Sequence, residues 1–157
     1  MKLSLGVVGR LRGGPEKDLA ADYIARASTL GRGLGFPAVD LVEYHPKGKA
    51  DKAAMTSQVM RALTPGCQRI VLDERGKDIT SLEFSRMLAR WRDDGHAHAA
   101  LLIGGADGWD QTMREGAAAV YRFGAWTWPH RLVRIMAAEQ IYRALSILAQ
   151  SPYHREG

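Results

Sequence analysis

Four short strings in the 157-residue chain hold groups able to do chemistry. The first is Ile103-Gly104-Gly105-Ala106-Asp107-Gly108, three glycines directly after an apolar run. Glycines there admit positive φ and let a ligand touch the main chain with no Cβ in the way. A plain strand-to-helix turn, with Asp107 or Asp110 near the next helix N-terminus, fits the same string. The second runs Phe123-Gly124-Ala125-Trp126-Thr127-Trp128 into Pro129-His130-Arg131, where proline keeps the preceding backbone extended. Tryptophans beside arginine can stack on a base, and they serve equally well as core or subunit contacts. The third is Glu139 with Arg143, an i,i+4 pair in the favoured orientation. The fourth is the ending Pro152-Tyr153-His154-Arg155, which offers a stacking ring, an imidazole and a phosphate-pairing guanidinium. Chain ends usually fray, which is the plainer reading of that string.

Other chemistries lack their signatures. The string from Gly6 to Gly14 spells neither G-x-G-x-x-G nor a P-loop, and it reads as a tight turn. No nucleophile elbow G-x-S-x-G is present. His96 and His98, with no cysteine or carboxylate cluster nearby, read as a surface pair and not as metal ligands. The single Cys67 excludes a disulfide framework. No stretch approaches 18 apolar residues, so no membrane partner is expected, and with the His pair set aside no metal is expected either. Met1 to Val8 reads as a first strand and not as a signal peptide, because Gly9-Arg10 cut the apolar run short. The expected location is cytoplasmic.

The elements that must position these strings alternate in period. Strands are expected at Lys2 to Val8, Ala38 to Tyr44, Arg69 to Asp73 and Ala99 to Ile103, with a strand or extended loop from Val120 to Trp128. Helices are expected from Pro15 to Leu30, Lys49 to Leu63, Thr80 to about Asp93, Asp110 to Ala119 and Leu132 to Ala149. Thr80 and Glu83 have capping-box spacing. This β-α-β-α order predicts an α/β fold, a parallel sheet covered by helices on both sides. Ligands then bind beyond the carboxyl ends of the strands, where the glycine loop lies. The last helix is apolar nearly all round, which suggests burial on more than one side and a subunit interface.

Composition adds one unusual feature, a net charge of +5 in which sixteen of 22 basic residues are arginine. Nucleic acid is a natural partner for such a chain, although charge alone does not decide it. Five arginines from Arg122 onward, opposed in that stretch only by Glu139 and Glu156, suggest a polyanion-facing surface beside the glycine loop.

Taken together, the strings resemble the bacterial ribosomal RNA large subunit methyltransferase H family of the SPOUT class. The resemblance covers essentially the whole chain: MKLSLGVVG, VLDERGK, LLIGGADG, TWPHRLVRIMAAEQIYRALSI and the closing PYHRE. It implies one domain over residues 1–157, a sheet flanked by helices, and a C-terminal deep trefoil knot. It also implies S-adenosylmethionine as cofactor and methylation of N3 of a pseudouridine in 23S ribosomal RNA. By position, cofactor contacts fall on Leu72, Gly104, Phe123, Gly124, Ala125, Trp126, Thr127 and Trp128. Catalysis falls on Arg143 and His154, and nucleotide placement on His130, Tyr153 and Arg155. The expected partners are ribosomal RNA in the assembled ribosome and a second copy of the chain, whose tail completes the site. Ala106-Asp107 and Trp128 depart from the family's usual residues. Two other readings fit the same strings: a non-catalytic RNA- or ribosome-binding protein of this fold, and a SPOUT enzyme for another base.

Overall fold

Alternation along each strand decides which side chains face which helix layer. In the computed structural model, which describes residues 1–46, 48 and 51–155, five strands form one parallel sheet. They are β1 (Lys2–Val8), β2 (Val39–Tyr44), β3 (Gln68–Lys77), β4 (His98–Ile103) and β5 (Ala119–Tyr121), in the order β2-β1-β4-β3-β5. The helices are α1 (Pro15–Gly31), α2 (Lys52–Ala62), α3 (Ser81–Asp93), α4 (Gln111–Glu115) and α5 (His130–Leu148). On one face Leu3, Leu5, Ile70 and Leu101 pack against α1, α3 and α5. On the other, Val71, Ala100 and Leu102 meet Met55 and Val59 of α2, Met113 of α4, and Trp109. Central β4 is buried throughout, as a continuous apolar run in a parallel sheet should be.

Local signals set most boundaries. Pro15 starts α1, where its missing N–H leaves no bond unmade. Thr80 and Glu83 form the expected capping box on α3, an arrangement worth about 1 kcal/mol. Asp51 caps α2 by accepting from Ala54 N–H at 2.8 Å. The expected beginning of that helix, Lys49 and Ala50, lies outside the described residues. A 3₁₀ turn at Arg32–Leu34 extends α1, and Gly35 ends it at φ 82°.

Three boundaries differ from expectation. Helix α4 has five residues and stops at Gly116, because Ala118 N–H already bonds Arg69 C=O in the ladder toward β5. Strand β5 ends at Tyr121, so residues 122–129 are irregular. Strand β3 continues to Lys77 through a register shift in which Tyr121 opposes both Leu72 and Lys77. Residues 73–76 therefore bulge out of the sheet, and Gly76 fits there because a Cβ would strike the Tyr121 backbone.

His98 also differs from the expected surface pair. It is only 5 % exposed, with Nε2 3.0 Å from Ser4 Oγ and Nδ1 3.1 Å from Thr64 Oγ1. The first residue of a central strand is covered on both sides, so its imidazole is held by hydroxyls and not by water. Burial, aided by Lys2 and opposed by Asp40, lowers its pKa below the ordinary value of 6.5. The unfolded chain takes up that proton more readily, so this contribution is present above about pH 6.5 and lost as pH falls through the folded value. The melting temperature should therefore fall on acidification, and His98→Gln should flatten this slope relative to wild type. Parallel melting curves between pH 7.5 and 5 would contradict the assignment.

Candidate functional site

The carboxyl ends of β3, β4 and β5 release three chain segments into one region. Leu72, Gly104 and the whole run Phe123 to Trp128 line a single cleft of about 530 Å³. That is the range of small-molecule and cofactor sites. Leu72, Ile103, Phe123 and Val133 supply apolar wall, while Asp73, Glu74 and Asp107 supply carboxylates. Beside it lies a second cavity of about 210 Å³, sharing Leu72, Arg122, Phe123 and Gly124 and bounded by Phe84 and Gln140.

The glycine loop is a closed turn. Gly108 N–H donates to Gly105 C=O at 2.9 Å, and Gly108 takes φ 68°. A Cβ on Gly104 would lie 2.9 Å from the Gly108 carbonyl carbon, so only glycine lets the two backbones approach this closely. Asp110 caps α4, its Oδ1 accepting from Met113 N–H at 3.2 Å and Thr112 Oγ1 at 2.6 Å. The loop is thus both an ordinary capped turn and the floor of the cleft.

Four side chains hold the floor and walls together. His130 Nε2 donates to Gly104 C=O at 2.6 Å, tying the first turn of α5 to the glycine loop. Arg114 Nη1 bridges Trp109 C=O at 2.9 Å and Asp73 Oδ2 at 3.3 Å, fastening that loop to the β3 bulge. Arg122 forks onto Asp78 at 2.9 and 3.0 Å, and its N–H bonds Lys77 C=O. Trp128 Nε1 donates to Phe123 C=O at 2.8 Å, which closes the irregular run on itself. Trp126 packs at 6.0 Å from Trp128 and is 79 % exposed, so it belongs to the surface and not to the core.

Arg143, Tyr153 and His154 meet elsewhere. Glu139 Oε1 accepts from Arg143 Nε at 2.9 Å and from Tyr153 Oη at 3.0 Å. Arg143 Nη1 reaches His154 Nδ1 at 3.3 Å. Tyr153 stands edge-on to Tyr142 at 4.7 Å, and Arg26 lies over the Tyr142 ring at 4.3 Å. Burial, with Tyr23 and Glu139 adding to it, raises the Tyr153 phenol pKa well above its ordinary value. The Glu139 hydrogen bond likewise raises Arg143, against the opposing effect of burial. Arg155 is exposed. From His130 to Arg143 is thirteen residues of one helix, roughly 20 Å at 1.5 Å per residue. Within one chain, therefore, the first turn of α5 borders the cleft while this cluster sits on its middle and second half.

The expected arginine surface is corrected by carboxylate partners, two of which lie far away in sequence. Arg122 is paired with Asp78, Arg143 with Glu139, and Arg134 with Glu43 at 2.8 Å. Arg134 is 2 % exposed and faces no solvent at all. Of the five, only Arg131 and Arg155 are exposed. Sequence reasoning missed Asp73, Arg114, Glu43 and Arg134. A charged pair split across the chain has no local signal.

Among the described residues, no group of three or more His, Cys, Asp or Glu is placed to hold a metal ion. Nor is any helix among them long and apolar enough to cross a membrane.

Comparison with known proteins places this geometry. A family model described as predicted SPOUT methyltransferase matches residues 1–154. A ribosomal RNA large subunit methyltransferase H from Cereibacter sphaeroides is 51% identical over 155 residues, covering 99% of each chain. Proteins of the same name from Dinoroseobacter shibae and Paracoccus denitrificans are 50% and 48% identical, covering 99% of this chain and 99% and 100% of theirs. The crystal structure of a probable methyltransferase from Bordetella pertussis Tohama I shares the fold, with TM-score 0.55 and 16% identity over 91% of this chain and 93% of that one. Full-length identity near one half, over the segments that build the cleft, makes the chain a member of the ribosomal RNA large subunit methyltransferase H family within the SPOUT methyltransferases.

Proposed function

We propose that the protein transfers a methyl group from S-adenosylmethionine to N3 of a pseudouridine in 23S ribosomal RNA, acting in the cytoplasm as a homodimer on the assembled ribosome. The observation that carries this reading is the convergence of Leu72, Gly104 and residues 123–128 on one cleft in a chain of this family. The residues present fit the cofactor. Apolar walls at Leu72, Ile103 and Phe123 suit a purine, backbone groups of residues 124–127 can read its edge, and the glycine loop admits a narrow chain. Glu74 and Asp107 suit a ligand carrying positive charge, while Asp73 is already paired with Arg114. Trp109, which borders the cleft, keeps its Nε1 buried with no hydrogen-bond partner among the described residues. S-adenosylmethionine supplies an already activated methyl group, which leaves alignment as the protein's main task.

Residues 122–130 are held between the β3 bulge and the glycine loop, through Arg122 to Lys77 and Asp78 and through His130 to Gly104. This double anchoring supports reading the C-terminal segment as a trefoil knot within one domain over residues 1–157. Arg143, Tyr153, His154 and Arg155 place the nucleotide. A guanidinium only donates, so Arg143 makes His154 Nδ1 an acceptor and leaves the ring proton on Nε2. His154 Nε2 is buried and has no hydrogen-bond partner among the described residues, and taking up the N3 proton at Nδ1 would require release from Arg143. Tyr153 remains a phenol near neutral pH. The separation along α5 supports a site in which one copy supplies the cleft and the other the tail. That arrangement gives the apolar circumference of α5 a second partner.

Three measurements test this reading. Ribosomal RNA from a strain lacking the protein should have lost N3-methylpseudouridine by nucleoside mass spectrometry, and unchanged content would overturn the target. Calorimetry should detect S-adenosylmethionine binding that Gly104→Ala weakens by at least about tenfold, roughly 1.4 kcal/mol; no binding by wild type would favour the non-catalytic reading. Mixed dimers with one subunit truncated before Tyr153 should keep about half the sites of the intact dimer. Full activity at every cleft would rule out a shared site.

A further inference from the structure

The ion pair of buried Arg134 and half-buried Glu43 serves a loop that the reaction has not yet used. Glu43 Oε2 accepts from Arg134 Nη1 at 2.8 Å and from Leu11 N–H at 2.8 Å. Arg134 Nη2 donates to Gly9 C=O at 3.0 Å. One carboxylate and one guanidinium therefore pin the residues on both sides of Arg10, in the loop joining β1 to α1. Burial would raise the Glu43 carboxyl, but hydrogen bonds from Arg134 and Leu11 lower it overall, so the pair stays charged. A buried ion pair is weak as a source of stability, because desolvation offsets much of the attraction. Its consequence here is geometric: Leu11 is buried, while Arg10 and Arg12 on either side of it are exposed.

The loop stands beside the cleft. A Cβ on Gly105 would lie 3.2 Å from Val8 Cγ1 at the end of β1, so the loop begins where β1 abuts the glycine turn. On α5, Arg134 follows Val133, which lines the cleft, and exposed Arg131 lies one turn earlier. Among the described residues no carboxylate comes within ion-pair distance of Arg10, Arg12 or Arg131. Among the described residues these three cations have no carboxylate partner, in contrast to Arg122, Arg134 and Arg143. Exposed, unpaired guanidinium groups on a pinned loop fit the fork geometry of phosphodiester oxygens.

We propose that Arg10 and Arg12, held by the Arg134–Glu43 pair and joined by Arg131, form a phosphate-contacting rim that docks the RNA backbone beside the cleft. This rests on the functional reading above and names the surface it leaves open. Arg10 and Arg12 are binding residues in it, and Glu43 and Arg134 are positioning residues.

The test uses the full-length dimer and ribosomes from a strain lacking the protein, with methyl incorporation measured against ribosome and salt concentration. For R10A/R12A the KM for ribosomes should rise severalfold, and the slope of log affinity against log salt should fall by about two. R10K/R12K should recover most of the slope, since charge sets counterion release. The double variant E43L/R134M, which exchanges the pair for apolar side chains, should raise the ribosome KM with both loop arginines present. In every variant the Kd for S-adenosylmethionine by calorimetry should stay at its wild-type value. Wild-type KM and salt slope in R10A/R12A would overturn the rim alone, and so would a matching loss of cofactor affinity, which would assign the loop to the cleft. Absence of methyl transfer by the wild type would overturn the functional reading and the rim with it.

Discussion

A parallel sheet points every carboxyl end in one direction, and the site depends on that constraint. Because β1, β3, β4 and β5 all run the same way, the basic loop, the bulge, the glycine turn and the tryptophan run leave one edge together. Both faces of the sheet are covered by helices, so this edge is where the framework can open a cleft. The loops are then tied to one another by polar contacts and not left to sheet packing. His130 reaches Gly104, Arg114 reaches both Asp73 and Trp109, and Arg134 reaches Gly9 and Glu43. Each bond joins segments that the sheet only brings near.

Arginine does several different jobs in this molecule, and its count says little about which. Arg134 is an internal strut, Arg114 a clamp, Arg122 a fork on the neighbouring strand extension, and Arg143 an arm set by Glu139. A planar guanidinium with five donors suits all four: Arg134 and Arg114 each satisfy a carboxylate and a carbonyl, Arg122 forks onto one carboxylate, and Arg143 joins Glu139 to His154. Lysine would reproduce the charge in these places but not the double contact.

Legibility in the sequence followed the range of the interactions. The strands, the Thr80 capping box, Pro15 at the head of α1 and the glycine turn were all readable, because each depends on neighbours a few residues away. The cleft residues were legible through the family's motifs, and their convergence follows from parallel topology. The Asp73–Arg114 and Glu43–Arg134 pairs span 41 and 91 residues, and periodicity carries no trace of them. His98 misled for the same reason: the hydroxyls that hold it belong to Ser4 and Thr64, 94 and 34 residues away. The short α4 and long β3 were missed because ladder bonds to a neighbouring strand overrode local propensity.

The distance along α5 between His130 and Arg143 has a genetic meaning. A site divided between two copies lets two defective alleles compensate. Under the proposed shared site, one allele damaged only in the cleft and another damaged only in the tail would each be inactive alone. Co-expressed, they would form mixed dimers in which one intact cleft faces one intact tail. A single-chain site would have no such rescue, so under that proposal helix length sets how mutations combine.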